Sequence, residues 1–456
     1  MRKRNNDFVT ITEEINTYTD LIKECSKIEP ELFVKYDVKR GLRDLNGVGV
    51  ITGITNISHV KAKEIIDGVS VPCAGRIFYR GYDVEDIINS CMKNSTFGFE
   101  EISYLLLFGK LPTKEELKGY EKTISNYRSL PVSFVRDVLL KKPSIDMMNA
   151  MSKGVLTLYS YDKNPDDVSL PNVLKQCLQL IAQFPLLAIY AYNSSEYYNK
   201  AESLYIHHPR EDYSTAENLL HMLRPDSKFT DLEAKVLDIA LILHAEHGGG
   251  NNSSFTTRVV SSTGTDTYSA ISAALGSLKG PKHGGANIKV IEMFTDMKEH
   301  LTDWTDEDQI SSYINDLLNK KAFDKQGSVY GIGHAIYSIS DPRAQIFRGF
   351  VEALAKEKGR SDEFELYARV ERLAPEIIAK QRKMYKGISA NVDFFSGFAY
   401  EMLGLPVDLY TPLFAVARIV GWSAHRIEEL IGANKIIRPA YKSIVVQKDY
   451  VPMEER

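Results

Sequence analysis

Cysteine is scarce in this chain. The four cysteines, Cys25, Cys73, Cys91 and Cys177, lie far apart and form no CxxC pair. That spacing argues against a disulfide framework or a thiolate zinc site and points to a reducing compartment. Charge of one sign is not concentrated either. The formal net charge is -4, and like charges occur only in short mixed runs. Nucleic acid and anionic membrane are therefore not expected as partners, because both call for a basic face. Long apolar runs are missing too, and no stretch reads as long enough to span a bilayer. The opening MRKRNNDFVTITEEINTYTD is basic for four residues and then turns polar and acidic. It lacks the apolar run of a signal peptide, and its early glutamates do not suit a transit peptide, so the expected location is cytoplasmic. No GxGxxG or P-loop sequence follows a strand, and no repeat or low-complexity segment is visible.

What is present is helical period. The 456 residues, 44% apolar and 25% charged, have the balance of an ordinary soluble globular protein with a sizeable core. In DLEAKVLDIALILHAEH (231–247), Leu232, Val236, Ile239, Ala240 and Leu243 share one stripe, which Leu237 and Ile242 widen. So wide a stripe predicts a helix buried on most sides. TDTYSAISAALGSLKG (265–280) is rich in small residues and predicts a helix packed closely inside a bundle or across a subunit interface. TPLFAVARIVGWSAHRIEELI (411–431) offers Thr411 as an N-cap and Pro412 at the first helical position. Strand signals are few: GVGVITGIT (47–55) and GRIFYRGY (75–82) predict one small hairpin near the amino end. Residues 296–326 and 351–386 are more charged, as in smaller peripheral helices. The expected fold is mainly α, a large helical body with a smaller inserted helical unit.

Several residues sit oddly in this pattern. His244 and His247 lie in LHAEHGGGNN, His283 in GPKHGGAN and His334 in YGIGHAIY. Each alone reads as a hydrogen-bonded histidine near a helix end, but a flanking glycine also lets a ligand approach the ring. Arg418 interrupts the apolar run LFAVARIVGW. A buried guanidinium needs an anion, either a core carboxylate in a structural salt bridge or the carboxylate of a ligand in a cleft. In SDPRAQIF, Ser340 or Asp341 can cap a helix with Pro342 in its first turn. Arg343 then lies where the helix dipole disfavours a cation, unless it and the backbone N–H groups receive an anion together. Asp393, in NVDFFSG, is either the cap of the following helix or a general base in a water-poor pocket. Arg438 precedes Pro439 in KIIRPAY and belongs to an extended tail segment.

Taken together, HAEHGGGN, GPKHGGAN, GIGHAIY with SDPRAQIF, NVDFFSG, and FAVARIVGW with KIIRP follow the order and approximate spacing of the citrate synthase family. GRIFYRGYDVEDI (75–87) and EEISYLLLFGKLPTKEEL (100–117) also resemble that family, so the likeness runs from about Lys39 to Tyr441. The resemblance implies condensation of acetyl-CoA with oxaloacetate, the entry step of the tricarboxylic acid cycle. Thioester hydrolysis then gives citrate and free CoA, with acetyl-CoA as co-substrate and neither metal nor redox cofactor. It implies a homodimer in which a small domain closes over a large one: residues 1–284 begin the large domain, 285–404 form the small one and 405–456 return to the large one. By motif, Asp393 is the base, His283 polarises the acetyl thioester and His334 the ketone. His247, Arg343, Arg418 and Arg438 hold oxaloacetate, with Arg438 reaching in from the partner subunit. Val329, Gly331 and Ile332 match the loop that meets CoA.

Physical chemistry supports these roles independently. The methyl group of a thioester is a poor acid, so the developing enolate needs a donor aimed at its oxygen. A neutral histidine near a helix start suits that task. The chain departs from the commonest family pattern at Glu246 and Gly248, where Asp and Glu are frequent, and at Ala335, where many bacterial members have Arg. These positions bear on acyl and keto-acid preference. A 2-methylcitrate synthase using propionyl-CoA is the nearest alternative, since the acyl groups differ by one methylene. A metal hydrolase using His244, His247, His283 and His334 is another, as is a helical scaffold without activity.

Overall fold

A helix that is apolar all the way round has to be buried on every side, and two such helices form the centre of this fold. In Asp231–His244, opened by a capping box between Thr230 and Glu233, every residue from Val236 to His244 is buried. In Tyr410–Gly432 the buried run extends from Tyr410 to Arg426. A third long helix, Leu170–Lys200, packs along Tyr410–Gly432. Contrary to the reading from sequence, that helix contains an apolar stretch long enough to cross a membrane by composition, but 83% of the stretch is buried inside the protein. It is therefore a core helix, its apolar surface covered by neighbouring helices rather than lipid.

The computed structural model describes residues 11, 13–44, 48–334, 336–382, 387–432 and 435–456. Two compact units make up the chain: Met1–Ile54 with Arg438–Arg456, and Thr55–Ile437. The terminal unit holds the helices Glu13–Cys25 and Pro30–Lys35, and its carboxy-terminal stretch is irregular except for a short turn at Met453–Glu455. Apart from a single 3-10 turn at Arg40–Leu42, all other elements belong to Thr55–Ile437.

The expected hairpin exists, but its first strand is displaced. It pairs Ser58–Ile66 with Val69–Tyr79 antiparallel, with Tyr82–Asp83 as a short third strand. GVGVITGIT supplies no strand in its described part, and Gly47 lies outside the described residues. Its glycines weaken a ladder, whereas SHVKAKEII carries the β-branched and alternating residues that a half-buried strand needs. Tyr79, fully buried, brings its hydroxyl within 3.0 Å of the carbonyls of Ile242 and Glu246. The hairpin thus anchors the chain where the helix Asp231–His244 ends.

Thr411 does not cap a helix. The preceding turn Val407–Leu409 feeds directly into the helix from Tyr410, and the Thr411 hydroxyl instead donates to the Gly284 carbonyl at 3.0 Å. The small-residue helix Thr267–Lys279, capped by Asp266, packs between Met147–Leu158 and Asn252–Ser261. Between residues 285 and 404 the helices Ala286–His300, Pro342–Glu357, Ser361–Arg382 and Val392–Met402 share an aromatic core. In it Tyr367 stacks on Phe294 at 3.5 Å and on Phe398 at 4.7 Å between ring centroids.

Leu187 illustrates how close this packing is. It is fully buried, and its Cδ2 lies 3.0 Å from where a Cβ on Gly154 would stand. Leu187→Ala is expected to lower the unfolding free energy by about 2–5 kcal/mol, read from urea denaturation with an unchanged m-value.

Candidate active site

The break at GPKHGG is a close-packed turn. The amides of His283 and Gly284 both return to the carbonyl of Gly280, at 2.8 and 3.1 Å, and the next helix begins at Ala286. A Cβ on Gly284 would stand 2.4 Å from the Leu278 carbonyl oxygen and 2.7 Å from Thr411, so only glycine fits. His283 is thereby held out of the helices on either side. Its Nε2 meets Ser253 Oγ at 3.1 Å. That hydroxyl also accepts the Trp422 indole N–H at 3.1 Å and donates to Asn251 Oδ1 at 3.0 Å. With Nε2 occupied, Nδ1 is the nitrogen left for other chemistry. Desolvation, then the field of Arg418, lowers the His283 pKa to about 4, so the ring is neutral at neutral pH.

His244 ends its helix and His247 follows in the tight turn of HAEHGGG. His244 faces the Ala240 carbonyl through Nδ1 at 2.7 Å, the ordinary bond of a helix-end histidine, but its Nε2 is buried without a partner. His247 is 6% exposed and its Nε2 is equally bare. Desolvation and the charge of Arg343 hold His247 well below the usual imidazole range. Its ring lies edge-on to His334 and Tyr337, with centroids 5.2 and 5.7 Å away. The amides of Ile336 and Tyr337 point at His334 Nδ1 from 3.1 and 3.2 Å. A neutral His334 therefore carries its proton on Nε2.

Arg418 is fully buried on the central helix. Its Nε donates to the His244 carbonyl at 2.6 Å, and its guanidinium lies over the Phe414 ring at 4.7 Å. Nη1 and Nη2 have no partner, and no carboxylate lies within ion-pair distance among the described residues. Of the two readings open from sequence, the structural salt bridge is not formed. Desolvation lowers the Arg418 pKa to about 10, against the attraction of Glu246, and the group stays charged. Arg343 differs. It is 4% exposed and paired with its own helix cap, Asp341, through Nη2 at 2.7 Å and Nε at 3.1 Å.

Asp393 lies in the first turn of Val392–Met402, but the cap is Asn391, whose side chain accepts the Asp393 amide at 3.0 Å. The Asp393 carboxyl is thus not used for capping. Desolvation raises its pKa to about 6, opposed by the charges of Arg343 and Arg418. The segment before it is pinned to the one before His334: the Gly333 amide reaches the Ser389 carbonyl at 2.7 Å and the Asn391 amide reaches the Gly331 carbonyl at 2.9 Å. Gly331, at φ 78°, leaves no room for a Cβ, which would meet Phe394 and Val290 at 2.9 Å. Beside this junction opens a cleft of about 320 Å³, lined by Val329, Gly331, Ile332, His334, Tyr337 and Arg382 among others.

His247, His334 and Tyr337 are in ring contact, Asp393 lies in the fields of Arg343 and Arg418, and His283 in that of Arg418. Arg438 is exposed in the terminal unit, and Ala335 lies outside the described residues. Sequence reasoning missed Ser253, Asn391 and His425. A histidine two turns beyond Arg418 in an apolar helix, GWSAHR, was the available signal for the last. Among the described residues no three His, Cys, Asp or Glu side chains are grouped as ligands for one metal ion.

Comparison with known proteins agrees with this architecture. Residues 45–440 match the family model described as citrate synthase, C-terminal domain. The citrate synthase of Haloferax volcanii is 34% identical over 428 residues, covering 92% of this chain and 99% of the relative. The 2-methylcitrate synthase of Shewanella oneidensis is 34% identical over 380 residues, covering 83% and 91%. Among solved structures, a ternary complex of the Thermoplasma acidophilum citrate synthase with carboxymethyl coenzyme A and oxaloacetate matches with a TM-score of 0.74 and 28% identity, covering 92% of this chain and 99% of that one.

The electrostatics can be tested directly. Side-chain ¹⁵N NMR is expected to show the His283 ring titrating at about 4. In Arg418→Gln, removal of the neighbouring cation should shift that titration upward.

Proposed function

The chain belongs to the citrate synthase family, and on that premise we propose that it condenses acetyl-CoA with oxaloacetate and hydrolyses the resulting thioester to citrate and CoA. It is an enzyme of the acyltransferase type, converting the acyl group to an alkyl group on transfer. Asp393 takes a proton from the acetyl methyl group, and the electron pair moves onto the thioester oxygen. His283 meets that oxygen as a neutral donor from Nδ1, which requires the Ser253 hydroxyl to turn its proton from Asn251 Oδ1 to His283 Nε2. The enol carbon attacks the ketone of oxaloacetate while the Nε2–H of His334 stabilises the developing alkoxide. Water then cleaves the citryl thioester and releases CoA.

One observation carries this reading. A fully buried guanidinium with bare Nη1 and Nη2 stands among neutral imidazoles and a carboxyl of raised pKa. A scaffold has no use for such a group, whereas a dicarboxylate satisfies it bidentately. His247 and Arg343 complete the oxaloacetate site, and Arg438 enters it from the partner subunit of a homodimer. Val329, Gly331 and Ile332 border the CoA cleft. Residues 285–404 form the smaller domain, whose closure excludes water until the carbon–carbon bond exists. The protein is proposed to be cytoplasmic and to need no metal or redox cofactor. Relatives named 2-methylcitrate synthase make propionyl-CoA the second reading.

Asp393→Ala is expected to lower turnover by at least about 10²-fold, and an undiminished rate in the folded variant would remove Asp393 from the mechanism. The working form of this base is the carboxylate. With a pKa of about 6, activity should therefore hold above that pH and fall below it, roughly tenfold per pH unit. A profile of kcat/KM from acid to neutral pH reads this. Side-by-side kcat/KM values should favour acetyl-CoA over propionyl-CoA by about tenfold or more, and a reversed preference assigns the methylcitrate reaction.

A further inference from the structure

The mechanism makes no use of Glu246, yet few side chains in the molecule are held so completely. It is fully buried. Its Oε1 receives the Ser58 hydroxyl at 2.9 Å, the Gly248 amide at 2.6 Å and His425 Nε2 at 3.0 Å. His425 is the donor in the last bond, because its Nδ1 already accepts the Nε–H of Arg258 at 3.1 Å. Every donor gathered on Oε1 stabilises a negative charge. Oε2, by contrast, has no hydrogen-bond partner among the described residues.

The position of Oε2 is specific. A Cβ placed on Gly421 would stand 2.4 Å from it and 3.4 Å from Arg418 Cδ. The carboxylate and the base of the guanidinium therefore flank one glycine, which leaves the slot open. The terminal nitrogens of Arg418 and Oε2 of Glu246 are all bare, and the two groups form no ion pair. Opposite charges lie close together in a buried site, but their hydrogen-bonding atoms are not spent on each other.

We propose that Glu246 is a positioning residue that acts through Arg418: it is the resident counter-charge that keeps the empty guanidinium in place and weakens its grip on the incoming dicarboxylate. The proposal rests on the reading of Arg418 as the arginine that binds oxaloacetate. A guanidinium buried with no counter-charge is costly in the empty protein and binds anions strongly. Glu246 relieves the first and repels the second. The repulsion acts most strongly on the product, which carries one carboxylate more than the keto acid, and so favours its release.

Gln is the informative substitution, because its carbonyl can keep the three donors of Oε1 while the charge disappears. In steady-state kinetics at saturating acetyl-CoA, Glu246→Gln is expected to lower the KM for oxaloacetate by at least about 5-fold, with kcat not raised in proportion. Citrate should inhibit more strongly and the unfolding temperature should fall. Glu246→Asp, which retains the charge, should stay within about 2-fold of the original KM. Glu246→Ala removes the same charge without disturbing the Ala245 carbonyl, which a Cβ on Gly421 would meet at 2.5 Å. It should move KM in the same direction, and it stands in if Glu246→Gln does not fold. An unchanged or raised KM in either folded variant overturns the proposal. Arg418→Gln, measured in parallel, separates the two claims: no change in its KM defeats the functional reading itself. A rise there without a fall in Glu246→Gln defeats only the counter-charge.

Discussion

The site depends on a cation with nowhere to go. Arg418 is carried into the middle of the protein by a helix buried from Tyr410 to Arg426, and neither Nη1 nor Nη2 finds a hydrogen-bond partner among the described residues. What holds it is indirect: one bond from Nε to the His244 carbonyl, the face of Phe414, and a carboxylate nearby. Its charge in turn shapes the neighbours. Desolvation is the largest influence on His244, His247 and His283, and the Arg418 field adds to it in all three. A buried cation ringed by imidazoles keeps those imidazoles neutral. A neutral ring can donate through one nitrogen and accept through the other, as enolate chemistry requires, and a protonated ring cannot.

The remaining functional groups stand at the ends of helices. His244 closes one helix, His283 occupies the turn before another, and Asp393 and Arg343 lie in first turns. Helix ends leave backbone groups unpaired, and here those groups join the segments to one another. Backbone bonds from Gly333 to Ser389 and from Asn391 to Gly331 tie the approach to His334 to the approach to Asp393. His334 and Asp393, linked in this way, keep their separation even if the elements bearing them shift together. Tyr79 provides comparable anchorage for the Glu246 segment.

Much of this was legible in the sequence because it is written locally. The wide apolar stripe of DLEAKVLDIALILH announced a helix buried on most sides, glycines announced the turn at His283, and a charge in LFAVARIVGW announced Arg418. The displaced first strand apart, the misreadings arise where the deciding contact lies far away in the chain. Thr411 looks like a cap until Gly284, 127 residues distant, takes its hydroxyl. The apolar helix Leu170–Lys200 looks the same to a composition test in lipid or in a core. The network from Glu246 through His425 to Arg258 spans separations of 179 and 167 residues, and no local pattern encodes it. Arg343 carried a partial signal, since Asp341 stands two residues before it, but pairing across the cap is a geometric outcome rather than a periodic one.

The raised pKa of Asp393 shows how such a site balances stability against reactivity. A lift from the ordinary 3.8 to about 6 corresponds to a net penalty of roughly 3 kcal/mol on the charged form, desolvation outweighing the attraction of Arg343 and Arg418. The sign follows from proton counting. Between those two pH values the folded protein binds a proton that the unfolded chain has released, so the penalty is complete above the folded pKa and fades as pH falls through it. At neutral pH the protein therefore carries the full cost, and what it gains is a more basic carboxylate than a hydrated one. The charges of Arg343 and Arg418 limit the lift, keeping the group ionised at neutral pH. Without them burial would raise the carboxyl further and leave it protonated. With them in ion-pair contact it would become an ordinary weak base. Holding the cations near Asp393 while Arg343 bonds to Asp341 and Arg418 to a backbone carbonyl keeps the carboxyl between those limits.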